Sequence, residues 1–103
     1  MARYLVLWKA NPSAWPTDPK QTLDILEGVT GAGSGMLAGG VIAELAWLTP
    51  QQGYALFEAD SKAAVLAMVQ GFFPLYTQEI HEVVPWEEGR DAILDNARQA
   101  AGL

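Results

Sequence analysis

The chain has 103 residues, half of them apolar, with six basic and twelve acidic side chains and a net charge of −6. That is room for one hydrophobic core, so a single domain spanning residues 1–103 is expected, and the composition excludes a disordered chain. The absence of cysteine excludes disulfides, thiolate zinc sites and thiol catalysis and fits a reducing, cytoplasmic compartment. No stretch supplies the ~20 apolar residues of a membrane helix or the h-region of a signal peptide. Arg3, Lys9, Lys20, Lys62, Arg90 and Arg98 are scattered rather than clustered, which argues against a nucleic-acid partner.

Arg3 to Lys9 is rich in β-formers and apolar on both alternating faces, the pattern of a strand covered on two sides. Asp18-Pro19 then supplies an N-cap and a preorganised first helical turn, with Gln21 at the capping-box position. Leu23, Leu26, Val29 or Thr30, Gly33 and Leu37 continue a helical stripe. Gly28, Gly31, Gly33 and Gly35 each cost about 1 kcal/mol relative to alanine in a helix, so residues 31–38 read as either helix or loop. The glycines suit close helix packing or a pocket rim. Gly33 to Ala38 matches G-x-G-x-x-A formally, but a helix precedes it and a strand follows, so the dinucleotide fingerprint lacks its context.

Gly39-Gly40 stops the helix, and Val41 to Leu48, a short loop, and Tyr54 to Ala59 read as a β-hairpin. With the loop centred on Gln51, Glu44 faces Glu58, Ala46 faces Leu56 and Leu48 faces Tyr54. The opposite face, Ala43, Leu45, Trp47, Ala55, Phe57 and Ala59, is wholly apolar and suits two covering helices. Asp60 or Ser61 caps a second helix that ends by Gly71 and Pro74, Ile80 to Val84 forms the fourth strand, and an acidic, alanine-rich tail helix follows over 87–101. The fold class is therefore α+β, in the order β-α-β-β-α-β of a ferredoxin-like domain over residues 3–86, with an antiparallel sheet carrying two helices on one face. The Glu44-bearing face is still apolar in its middle, a contiguous patch that calls for a cover, and a second copy of the sheet is the simplest one.

Residues 4 to 9 (Tyr-Leu-Val-Leu-Trp-Lys), 53 to 60 (Gly-Tyr-Ala-Leu-Phe-Glu-Ala-Asp) and 82 to 85 (Glu-Val-Val-Pro) resemble the dimeric α/β-barrel superfamily, which includes muconolactone isomerase-like proteins and small antibiotic-biosynthesis-type monooxygenases. The resemblance implies a sheet-to-sheet homodimer and a small apolar ligand held between the sheets or between sheet and helices.

Two carboxylates facing each other across a hairpin repel, and desolvation would raise one pKa into the range of a general acid or base, so Glu44 and Glu58 are candidate catalytic groups. The alternative is that both lie near sheet edges in solvent, or pair structurally with Arg3, Lys9 or a partner chain. His81, the single histidine, is a third candidate as a proton carrier near neutral pH, against an ordinary strand histidine. Tyr54 and Trp8 are candidate ligand-binding groups. Glu44, Glu58 and His81 would form a metal triad only across two subunits, and no metal or cofactor is expected. The reading is a cofactor-independent isomerase or monooxygenase acting on an apolar or aromatic compound, with a non-catalytic assembly module as its rival.

Overall fold

The computed structural model describes residues 2–103. Four strands, β1 (Ala2–Ala10), β2 (Ile42–Thr49), β3 (Gln52–Ala59) and β4 (Tyr76–Val83), form one antiparallel sheet in the order β2-β3-β1-β4. Helices α1 (Pro19–Ala38) and α2 (Lys62–Val69) follow β1 and β3, and α3 (Trp86–Ala100) follows β4. The architecture is α+β, compatible with a ferredoxin-like fold.

Helix α1 starts where its cap dictates: the Asp18 carboxylate accepts from the Gln21 backbone N–H, with proline in the first turn. It continues through the glycine-rich stretch without interruption, so residues 31–38 are helix. Only Gly33 explains itself by packing, because a Cβ there would sit 3.1 Å from Leu45 Cδ2, whereas positions 28, 31 and 35 face open space. Ser61 caps α2 by accepting from the Ala64 N–H.

Alternation along β1 sends Tyr4 and Val6 into the core and Arg3, Leu5, Leu7 and Lys9 to the other side. The core is one cluster of Tyr4, Val6, Ile42, Ala55, Phe57, Ala59, Val65 and Val69, lying between the sheet and the two helices, with Met36, Leu45, Met68 and Ile80 packed on it. Strand β4 begins four residues earlier than its apolar pattern suggests. Gln78 interrupts the inward face between Tyr76 and Ile80, which hides the period-2 signal, and the ladder to β1 supplies the pairing instead, Ala10 with Tyr76 and Trp8 with Gln78.

The hairpin differs from its expected register. Thr49 pairs with Gln52, closing the turn over Pro50 and Gln51, so β3 starts two residues sooner and Glu44 faces Leu56 while Tyr54 faces Ala46. Two register shifts on β2, around Ala43 and Leu48, accommodate the difference. The first places Ile42 rather than Ala43 on the helix-covered face, where it is buried opposite Phe57. Between these shifts, from Glu44 to Trp47, the two-residue slip keeps the expected faces of the hairpin but separates the carboxylate pair.

Helix α3 stands apart. Every residue in it except Gly89 is exposed, and the radius of gyration is 17.8 Å with a long axis of 65 Å, against about 13 Å for a compact chain of this length. No helix among the described residues is long and apolar enough to cross a membrane.

Candidate functional site

The two faces of the sheet carry different chemistry. On the face away from α1 and α2, one row across the four strands is Glu44, Leu56, Leu5 and His81, and the next is Ala46, Tyr54, Leu7 and Glu79. All the acid–base candidates lie here, yet the strand order keeps them apart. Glu44 on β2 and His81 on β4 occupy opposite edges with two strands between them, about 14 Å at ordinary strand spacing.

Each polar candidate has its own partner. The Tyr54 hydroxyl donates to Glu44 Oε1 at 2.6 Å, and this bond, with smaller contributions from desolvation and the carboxylate's charge, raises the Tyr54 pKa above its ordinary value. Arg3 Nη2 donates to Glu58 Oε1 at 3.1 Å, directly across the β1–β3 ladder, so Glu58 is held in the structural pair that was its alternative reading. His81 Nε2 lies 3.4 Å from Glu79 Oε2, both exposed. The face presents isolated, solvated polar pairs around the half-exposed Leu5, Leu7 and Leu56.

The other face holds a pocket. Between α1 and the sheet lies a cavity of about 270 Å³ whose wall includes Val6, Trp8, Ile42, Leu45, Trp47 and Phe57 from the strands. Helix α1 closes it with Val29, Thr30, Gly33, Ser34, Met36 and Leu37, which recur at helical spacing on one side. Among the described residues no carboxylate, amine, guanidinium or imidazole lines it.

An aromatic chain crosses its floor. Trp8 meets Trp47 edge-to-face at 5.1 Å and Tyr76 at 5.4 Å, and Trp15 adds a third T-shaped contact to Tyr76 at 5.6 Å. Trp15 is anchored by its Nε1, which donates to the Leu75 carbonyl at 2.9 Å. Burial raises the Tyr76 pKa above its ordinary value, and the phenol, protonated at physiological pH even without that shift, leaves the wall neutral. The Trp8 Nε1 is buried with no hydrogen-bond partner among the described residues. Gln78 donates from Nε2 to the Val69 carbonyl at 3.4 Å.

Of the five residues singled out from sequence, the structure thus puts Trp8 in the pocket wall and Glu44, Tyr54, Glu58 and His81 on the far side of the sheet. Trp47 and Tyr76 also line the pocket; they belong to the chain's general supply of aromatic side chains suited to clamping a flat ligand but were not singled out as Trp8 and Tyr54 were. The signal for Trp47 was present in its parity with Leu45 on the apolar hairpin face; Tyr76 had none, since its strand began inside a stretch that reads as loop. Among the described residues no cluster of three or more metal-ligating side chains forms. No protein-family model matches the chain, and no curated protein matches it.

Proposed function

We propose that this chain is a small-molecule-binding protein of the ferredoxin-like, dimeric α/β-barrel type, which takes an uncharged, flat apolar or aromatic compound into the pocket beneath α1. The observation that carries this reading is the cavity of about 270 Å³ with an aromatic floor and no ionisable group in its wall other than a neutral tyrosine. An apolar cavity of about 150 Å³ takes up benzene, so the volume here suits a bicyclic or substituted ring. A charged ligand would be buried without a partner, at a cost that selects against it. Thr30 and Ser34, solvent-exposed residues of α1 that also line the pocket, supply hydroxyls at its rim.

A cofactor-independent isomerase or monooxygenase is the enzymatic form of this reading. Glu44, Glu58 and His81 would take part only in chemistry on the opposite face, beneath a second copy. The reading is tested by isothermal titration of the full chain with neutral naphthalene-sized compounds and with their carboxylate analogues. Saturable binding of the neutral series, lost in a Ser34→Phe variant that fills the pocket mouth, is the expected result; absence of saturable binding across the neutral series would overturn it.

The rival, an assembly module, draws on a separate observation. Leu5, Leu7 and Leu56 form an apolar centre on the open sheet face, with Leu7 36% exposed, which a second sheet would cover.

A further inference from the structure

Gln78 breaks the apolar row that β4 turns toward the helices, between the buried Tyr76 and the core-packed Ile80. An amide in such a row destabilises the chain unless its polar atoms find partners. Half of this one is matched. Its Nε2 donates to the Val69 carbonyl at 3.4 Å, at the end of α2, where carbonyls run out of partners within the helix. That bond fixes which way the amide faces, because a flipped amide would set Oε1 against the Val69 carbonyl oxygen.

The other half is free and open. Gln78 Oε1 accepts from no donor among the described residues. Trp8 Nε1 is the single side-chain polar atom among them that is sealed in the protein without a partner, so Gln78 Oε1 is accessible, and Gln78 lines the pocket. The other polar groups of the wall differ from it. Thr30 Oγ1 is already engaged with the Leu26 carbonyl at 2.6 Å, and Ser34 is exposed at the rim. The Tyr76 hydroxyl can turn to donate or to accept and so imposes no direction. Only the Gln78 amide is held in one orientation as an acceptor.

We infer that Gln78 is a specificity-determining residue of the pocket, its Oε1 accepting a hydrogen bond from an O–H or N–H on the edge of the ligand. The inference rests on the pocket reading above and narrows the ligand class from neutral flat rings to those that carry a donor, such as phenols and N–H heterocycles. Trp8 and Gln78 face each other across the β1–β4 ladder, as neighbouring side chains on one face do, so a ring lying against the indole has its edge beside the amide. A ligand without a donor would strip water from Oε1 and return no hydrogen bond, which is the source of the selectivity.

Isothermal titration of the full chain at neutral pH with a naphthol and with the corresponding fluoronaphthalene, which has nearly the same outline without the O–H, tests it, alongside a Gln78→Met variant whose fold is checked by near-UV circular dichroism. The expected result is that the wild-type chain binds the naphthol about fivefold to tenfold more tightly than the fluoro compound, and that Gln78→Met binds the two alike. Equal affinities in the wild-type chain would overturn the role of Gln78 and leave the pocket reading standing, a result that does not depend on the variant folding. A preference for the naphthol that survives Gln78→Met would assign the bond to another group and overturn the inference as well. Binding of neither compound would overturn the pocket reading itself.

Discussion

Gly53 on β3 stands directly across the ladder from Trp8 on β1, and the indole occupies the space into which a side chain at position 53 would project. A Cβ there would run into Trp8 Cζ2 and the Ala46 carbonyl and approach Trp8 Cε2 to 2.6 Å. The glycine is what lets the indole lie flat against the sheet and form the pocket floor. Because one of the atoms in the way is backbone, the strand itself must shift to admit a methyl group. Gly53→Ala is therefore expected to cost about 2 to 3 kcal/mol, lowering Tm by about 10 °C or more. Thermal unfolding followed by circular dichroism checks this, and an unchanged Tm would count against the packing described.

The glycines of α1 separate by environment. Gly31 and Gly35 face open space, so replacing either by alanine removes the helix penalty of glycine and should stabilise the chain by about 1 kcal/mol. Gly33→Ala gains the same propensity but brings its methyl group within 3.1 Å of Leu45 Cδ2, so its gain should be smaller or reversed. Urea midpoints of the three single variants should place Gly33→Ala below the other two.

Arg3 and Glu58 form an exposed ion pair between neighbouring strands. Pairs of this kind contribute little, so Glu58→Gln should reduce stability by no more than about 1 kcal/mol, with the effect fading at high salt. A clear rise in stability would instead mark Glu58 as a carboxylate held under strain for a function.

The Tyr54–Glu44 hydrogen bond ties stability to alkaline pH. Its folded-state pKa is raised by the bond to Glu44, so the folded state holds the phenolic proton more tightly than the unfolded state does. The stabilisation is present in full below about pH 10 and is lost as pH rises through the folded-state value. The urea midpoint of the wild-type chain should fall above that pH. Tyr54→Phe should show a lower midpoint at pH 8 and a smaller alkaline fall, so that the two curves converge; parallel curves would show that the bond does not form.

Local signals were enough for much of the fold. The start of α1 follows from Asp18 and Pro19, which act within one turn, and the faces of the hairpin from Glu44 to Trp47 and along β3 follow from period-2 alternation, which survives a slip of two residues but not the irregularity at Ala43. The acidic, alanine-rich tail helix and the order of elements were legible for the same reason, since each depends on neighbours in the chain. The exact pairing was not. Whether Glu44 meets Glu58 or Leu56 turns on closure of the turn at Thr49 and Gln52 and on two irregularities in β2, which accompany the packing of Ile42 and Leu45 in the core with Phe57. The pocket is likewise a tertiary product: Trp8, Trp47 and Tyr76 come from three strands and meet only because β3 and β1 lie between β2 and β4, while the glycine-rich half of α1 stays helical above them. Side-chain identity and spacing determine which surfaces are apolar; which of those surfaces face each other is decided by the strand order and by close packing, to which no single segment holds the information.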